Sequence, residues 1–128
     1  MSDAGGAAAP HLPRPGPIDA YGDGGFRFGG MSHRGSLLCF PDGIWAWPVT
    51  AVADLNEAAV EAALARADAL DFFLIGTGAD PWPMPASLRA RFREAGLSVD
   101  AMATGPAVRT YNILLAENRR VGAGLIAV

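Results

Sequence analysis

Apolar residues change their spacing partway along the chain. From Ile18 to Val49 they come in short runs broken by glycine, and where they alternate the period is two. In Gly25-Phe26-Arg27-Phe28-Gly29 both phenylalanines fall on one face of a strand. Ser36 to Phe40 is a second strand, stopped by Pro41-Asp42-Gly43, a turn whose proline presets φ and whose glycine tolerates positive φ. Ile44 to Val49 returns as the hairpin partner. Pro48 puts that segment at a sheet edge or a strand end, because proline cannot donate to the ladder. This half of the chain reads as antiparallel β.

From Leu55 onward the period lengthens. Leu55-Asn56-Glu57 opens a helix reaching about Asp68: Asn56 is placed to cap it, Glu57 lies near the positive end of the dipole, and Leu55 can staple to Val60. Val60, Leu64 and Ala67 recur at helical spacing. Asp71 to Ile75 is a short apolar run ending in glycines, which suits a buried strand. Pro85 to Ala95 is a second helix, with Leu88 and Phe92 four apart and Gly96 as its stop. Leu97 to Ala103 is another strand. Thr104 is placed to cap a third helix, with Pro106 in its first turn, that runs to about Asn118. Val121 to Val128 closes the chain as a strand apolar on both faces. Hairpins followed by α-β-α-β-α-β predict an α/β domain with a mixed sheet, its later strands joined by helical crossovers and partly parallel.

Composition changes this picture in three ways. With 128 residues, 51% hydrophobic and 18% charged, the chain has the material for one core and one domain. Residues 1–17, rich in Gly, Ala and Pro, read as a flexible tail, which leaves 18–128 as a single domain. The tail lacks a charged segment followed by an apolar one and so does not read as a signal peptide. No apolar run approaches the ~18 residues that span a bilayer, so the chain is expected in the cytoplasm and not embedded in a membrane. The net charge is −3, with arginine supplying all ten positive charges. That balance argues against nucleic-acid or anionic-membrane surfaces, which need a basic footprint. Cys39 is the only cysteine, and with His11 and His33 it is too sparse for a disulfide or a recognisable zinc site. No metal or cofactor is expected.

Candidate chemistry concentrates in two places. Gly76-Thr77-Gly78 directly follows one strand, and Thr104 to Asn112 spans the end of the next strand and a helix start. If those strands are parallel, both features fall at carboxyl ends, where open α/β sheets build ligand crevices. The glycines would let main-chain amides approach a ligand, the helix start adds partial positive charge, and Arg109 could add a full one. Such a site would suit a carboxylate, a phosphate or an acidic side chain of a partner. Against it, the glycines lack the third member of a dinucleotide fingerprint and the lysine of a phosphate loop, and turns alone account for them. Tyr111 and Asn112 serve buried hydrogen bonding as readily as a ligand. In the stiff loop Asp80 to Pro85, Trp82 is either a docking point or a cover over the core. Trp45 and Trp47 share a strand face and pack over the sheet. Cys39 reads as a core thiol and His33 as a solvated loop residue. There is no Ser/His/Asp set and there are no paired carboxylates, so no catalytic residue is assigned and a non-enzymatic role is favoured.

Ile18-Asp19-Ala20-Tyr21-Gly22, the hairpin ending near Trp47, Leu74-Ile75-Gly76-Thr77-Gly78 and above all Arg109-Thr110-Tyr111-Asn112-Ile113-Leu114 resemble the Mth-domain family in order and spacing. Thr104, Ala107, Glu117, Arg119 and Arg120 extend the resemblance, which runs from about Ile18 to Val128. It implies a compact three-layer α/β fold with a β-hammerhead-like hairpin region, and no established enzyme activity. The family includes a mitochondrial complex I assembly factor, which implies protein partners, among them respiratory or membrane-complex subunits. Pro106 and Val108 stand where the family often carries alanine or cysteine, so no role for a thiol there transfers. Two functions remain open: a protein-interaction or assembly factor, and a small-anion binder or enzyme using a crevice at Gly76–Gly78 and Thr104–Asn112. The residues named for ligand or partner contact are Gly76, Thr77, Gly78, Trp82, Thr104, Arg109, Thr110, Tyr111 and Asn112.

Overall fold

The structure, a computed structural model, describes residues 9–128. Its strands are β1 (Ala20–Gly22), β2 (Gly25–Phe28), β3 (Met31–Arg34), β4 (Ser36–Phe40), β5 (Gly43–Trp47), β6 (Phe72–Gly76), β7 (Val99–Met102) and β8 (Val121–Leu125). Its helices are α1 (Glu57–Ala65), α2 (Ala86–Ala95) and α3 (Thr104–Ala116). β1, β2 and β3 form a small antiparallel sheet, and the other five strands form a mixed sheet in the order β5-β4-β8-β6-β7. β4 pairs antiparallel with β5 and with β8, whereas β6 pairs parallel with β8 and with β7. The mixed sheet and helical crossovers are those the residue pattern predicts. The short strands β1 and β3 add to the three hairpin segments that periodicity picks out.

The larger sheet is the middle of three layers, and alternation along its strands explains why. On β4, Leu38 and Phe40 join one core while Leu37 and Cys39 join the other. β6 divides in the same way, with Phe73 and Ile75 on one side and Leu74 on the other. The first core lies under α1 and α2 and takes Val60, Ala63, Leu88 and Phe92 from them. The second lies under α3 and the small sheet and takes Ala107, Val108 and Tyr111 with Phe26 and Phe28. Asn56 caps α1 as its position predicts, its side chain accepting from the amide of Ala59 at 2.9 Å.

β8 is central and has unlike faces. Val121, Ala123 and Leu125 fill the core beneath α3. Gly122 and Gly124, on the opposite face, leave room for aromatic rings. A Cβ on Gly124 would stand 2.6 Å from the Trp47 ring, and one on Gly122 would stand 3.0 Å from Phe40 and 3.1 Å from Phe73. Phe40, Phe73 and Phe92 then stack in series with centroids 6.1 Å apart. Trp47 donates from Nε1 to the carbonyl of Ala59 at 3.0 Å, tying β5 to α1. Outside this stack, the Arg66 guanidinium lies 4.2 Å over the Phe40 ring and bonds both carboxylate oxygens of Asp42 at 3.1 Å. That pairing holds the Asp42 carboxyl below its usual range.

Composition assigns residues 1–17 to a tail. Residues 1–8 of that stretch lie outside the described residues. In the remainder, Leu12 is buried and bridges to Ile44, whose amide donates to the Leu12 carbonyl at 2.9 Å. The Gly16 carbonyl accepts from the Tyr111 hydroxyl at 3.0 Å. The packed chain therefore begins ahead of Ile18, through one apolar side chain that the surrounding glycine and proline conceal. His11 on this segment meets His33, whose ring centroid is 4.8 Å away. His33 is not a loop residue: it sits in β3 opposite Phe26, half-buried, and its Nε2 donates to the Ser36 carbonyl at 3.2 Å.

Two predictions follow from these contacts. Replacing Gly124 by valine forces a branched side chain into the Trp47 ring, and overpacking of this kind costs about 1–3 kcal/mol. The urea midpoint of Gly124→Val should fall accordingly, and an unchanged midpoint would show that Trp47 has a second seat. The second prediction concerns pH. Desolvation first, and the neighbouring His11 second, lower the pKa of His33 below its ordinary 6.5. The folded state then binds fewer protons than the unfolded state once pH drops past 6.5, so His33 destabilises the fold progressively as pH falls through that value and the lower folded one. The loss of stability between about pH 7 and pH 5 should be smaller in His33→Gln than in the wild type, measured by chemical denaturation.

Candidate functional site

The carboxyl ends of β6 and β7 lie side by side, with Gly76 in register with Met102. Thr77, Gly78 and Thr104 meet just beyond them, the two strands being parallel. Their polar groups, however, bond to one another. The Thr77 amide donates to the Met102 carbonyl at 2.8 Å and the Thr104 amide to the Gly78 carbonyl at 2.9 Å. Thr104 is fully buried, and its hydroxyl accepts from the Gly78 amide at 2.9 Å and donates to the Ile126 carbonyl at 2.7 Å. The Ile126 amide in turn donates to the Gly76 carbonyl at 2.9 Å. A Cβ on Gly76 would stand 3.1 Å from Thr104 and from Leu125, so this glycine serves close approach of the chain to itself. Thr77 directs its hydroxyl to the Asp80 carbonyl at 2.7 Å.

This knot corrects one expectation. Thr104 is the first residue of α3 and not its cap; Ala103 occupies the cap position and makes no side-chain capping bond. Two buried main-chain groups, the Gly78 amide and the Ile126 carbonyl, need partners, and the threonine hydroxyl serves them in preference to its own helix.

The structure separates the other candidates. Tyr111 points inward: it is buried, bonds Gly16 and lies beside Cys39. Burial pushes the Cys39 thiol up to about 12, and burial together with Cys39 raises the Tyr111 phenol above its ordinary value. Neither group ionises near neutrality. Thr110 back-bonds to the Pro106 carbonyl at 2.9 Å. Trp82 is half-buried and packs with Met84 against the core under α1 and α2. Asn112 clamps the chain ahead of β1, its Nδ2 donating to the Ile18 carbonyl at 2.8 Å and its Oδ1 accepting from the Ile18 amide at 2.9 Å.

Arg109 stands apart from the glycines, exposed on the outer side of α3. It lines a groove of about 500 Å³ between Ile18–Tyr21 and the α3 residues Gly105, Val108, Arg109, Asn112 and Ile113. Tyr21 is 48% exposed and Ile113 51%, two of three large hydrophobics left open among the described residues. Tyr21 lies over the first turn of α3, its hydroxyl 2.6 Å from where a Cβ on residue 105 would stand, so the glycine leaves room for the ring in this position. Sequence reasoning passed over Tyr21, Gly105 and Ile113 as contact residues. The available signal was the i, i+4, i+8 spacing of Gly105, Arg109 and Ile113, which puts a gap, a cation and an apolar side chain on one helix face. Among the described residues no three His, Cys, Asp or Glu side chains gather as a metal site.

The knot at the sheet end should be structural. Thr104→Val removes the hydroxyl from two buried main-chain partners and should cost about 1–3 kcal/mol for each group left unsatisfied. Thr104→Ser should restore most of it. Equal urea midpoints for the valine and serine variants would refute this account.

Known proteins share this fold. A Bartonella henselae protein described as an outer membrane protein superimposes with a TM-score of 0.87 at 47% identity, covering 92% of this chain and 99% of its own. In the present chain, no helix of the described residues is long and apolar enough to cross a membrane. A Mth938-like domain from Bordetella pertussis matches with a TM-score of 0.77 at 27% identity, over 88% of this chain and 85% of that one. The Drosophila melanogaster NADH dehydrogenase [ubiquinone] 1 alpha subcomplex assembly factor 3 is 30% identical over 113 residues, which is 85% of this chain. This chain spans 57% of that protein's length. Residues 18–126 match the family of proteins of unknown function DUF498/DUF598, and the chain, a Mth-like domain in fold and in sequence, belongs to it.

Proposed function

We propose that this domain is a non-catalytic protein-binding factor acting in the cytoplasm in the assembly of a larger complex, and that the groove between β1 and α3 is its contact surface. The observation that carries the reading is the contrast between two regions. At the sheet end, where a catalytic or anion site would be sought, Thr77, Gly78 and Thr104 bond one another and nearby main chain. At the groove, Tyr21 and Ile113 hold apolar surface open to solvent around Arg109. Exposed large side chains grouped at one rim mark interaction sites more than scattered ones do, and a tyrosine beside an arginine is the composition of binding hot spots. The Drosophila relative's name supports the same class of role, and by that likeness the partners include respiratory complex I subunits.

Ile113 is on an exposed helix face, so replacing it by arginine alters the groove without disturbing a core. Crosslinked pull-downs from the native cells should recover specific proteins with the wild type and at least tenfold less of them with Ile113→Arg. Arg89→Ala, on the exposed side of α2, should leave recovery unchanged. Equal recovery with Ile113→Arg would remove the groove from the reading. Recovery of nothing by the wild type would leave Arg109 and the groove to a small anion, to be sought by thermal shift.

A further inference from the structure

Chemistry around β1 narrows the kind of partner. β1 is an edge strand, paired with β2 on one side only, and its three residues are all exposed. An open strand edge is a template for an added strand, with main-chain hydrogen bonds supplying affinity and side-chain pockets supplying choice. The groove beside this edge has α3 as its other wall, so a chain laid in it would run along β1.

Charge selects among such chains. Arg109 lines this groove, and a smaller one of about 420 Å³ on the small sheet adds Arg27 and Arg34. The only acids in the two linings are Asp19 and Asp23. The two linings together carry three arginines against two aspartates, a local positive excess on a chain whose net charge is −3. The ion pairs of the described residues use Arg66, Arg91, Arg119 and Arg120, and Arg27 and Arg109 stand outside them. Tyr21 and Ile113 supply the apolar component of the same surface.

Resting on the protein-binding reading above, we propose that the partner presents an acidic, extended segment that adds as a strand to β1. One of its apolar side chains sits between Tyr21 and Ile113, and one of its carboxylates sits on Arg109. Arginine and carboxylate make paired charge-assisted bonds, and alternation along a strand lets one face of the segment offer both groups.

The probe is a phage-displayed library of random twelve-residue peptides, selected on the full chain. Selected peptides should alternate Asp or Glu with apolar residues, and synthetic copies should lose at least tenfold in affinity for Arg109→Glu and for Ile113→Arg. Arg93→Glu makes the same charge change on α2 and should leave affinity intact. N-methylation of alternate peptide amides, which spares the charges, should abolish binding in one of the two phases. Selection of peptides without acids, equal binding by Arg109→Glu, or indifference to N-methylation would overturn the proposal. So would vesicles of anionic phospholipid binding the chain where no peptide is enriched. If pull-downs depend on Ile113 while no acidic peptide is selected, protein binding stands and the acidic strand falls; if pull-downs ignore Ile113, both fall.

Discussion

Two glycines on β8 set the depth of the larger core. β8 joins the hairpin strands, through β4, to the parallel strands, through β6, so both halves of the chain meet on it. One of its faces is filled by Val121, Ala123 and Leu125, and the other is bare at Gly122 and Gly124. The bare face lets Trp47, Phe40 and Phe73 lie close against the sheet. Each ring buries on the order of 150–250 Å², worth on the order of 4–6 kcal/mol before conformational entropy is subtracted. Trp47 then carries α1 with it through its bond to Ala59, and Phe73 stacks on Phe92 of α2. The position of the whole helical layer follows from side chains that β8 lacks.

At the carboxyl ends of the parallel strands the same economy of space closes what could have been a crevice. Gly76 lets Thr104 approach, and the Thr104 hydroxyl joins the segment after β6 to the segment after β8. Amides that could hold an anion are occupied by the chain's own carbonyls and hydroxyl. A sheet end sealed in this way is a rigid support for α3, and α3 presents its outer face to the groove.

The groove derives its character from position more than composition. Tyr21 belongs to a strand too short to be covered by neighbours, and Gly105 allows its ring to lean over α3. Arg109 and Ile113 follow at successive turns of one face. Asn112, adjacent to Ile113 and three residues after Arg109, spends both ends of its amide on Ile18 and so ties the chain ahead of β1 to the helix. The Arg109–Asn112 motif thus combines an outward residue, Arg109, with Tyr111 and Asn112, whose side chains bond the chain ahead of β1.

Local signals made much of this legible in the chain. The hairpin about Pro41-Asp42-Gly43, the Asn56 cap, the spacing of Leu88 and Phe92 and the apolar runs of β6 and β8 all act within a few residues, so periodicity and turn chemistry determined the class of fold and the order of its elements. Positions that depend on partners distant in sequence were decided only by the tertiary structure. Leu12 is apolar in a stretch that composition reads as tail, and only Ile44 and the core beside it make it part of the fold. Thr104 has the sequence position of a cap, and only the folded chain brings it Gly78 and Ile126. Arg109 and the glycines at 76 and 78 look like one site along the chain, yet α3 turns Arg109 toward Tyr21, 88 positions earlier, because a helix face is set by packing against the sheet and a groove exists only where two such faces leave space between them.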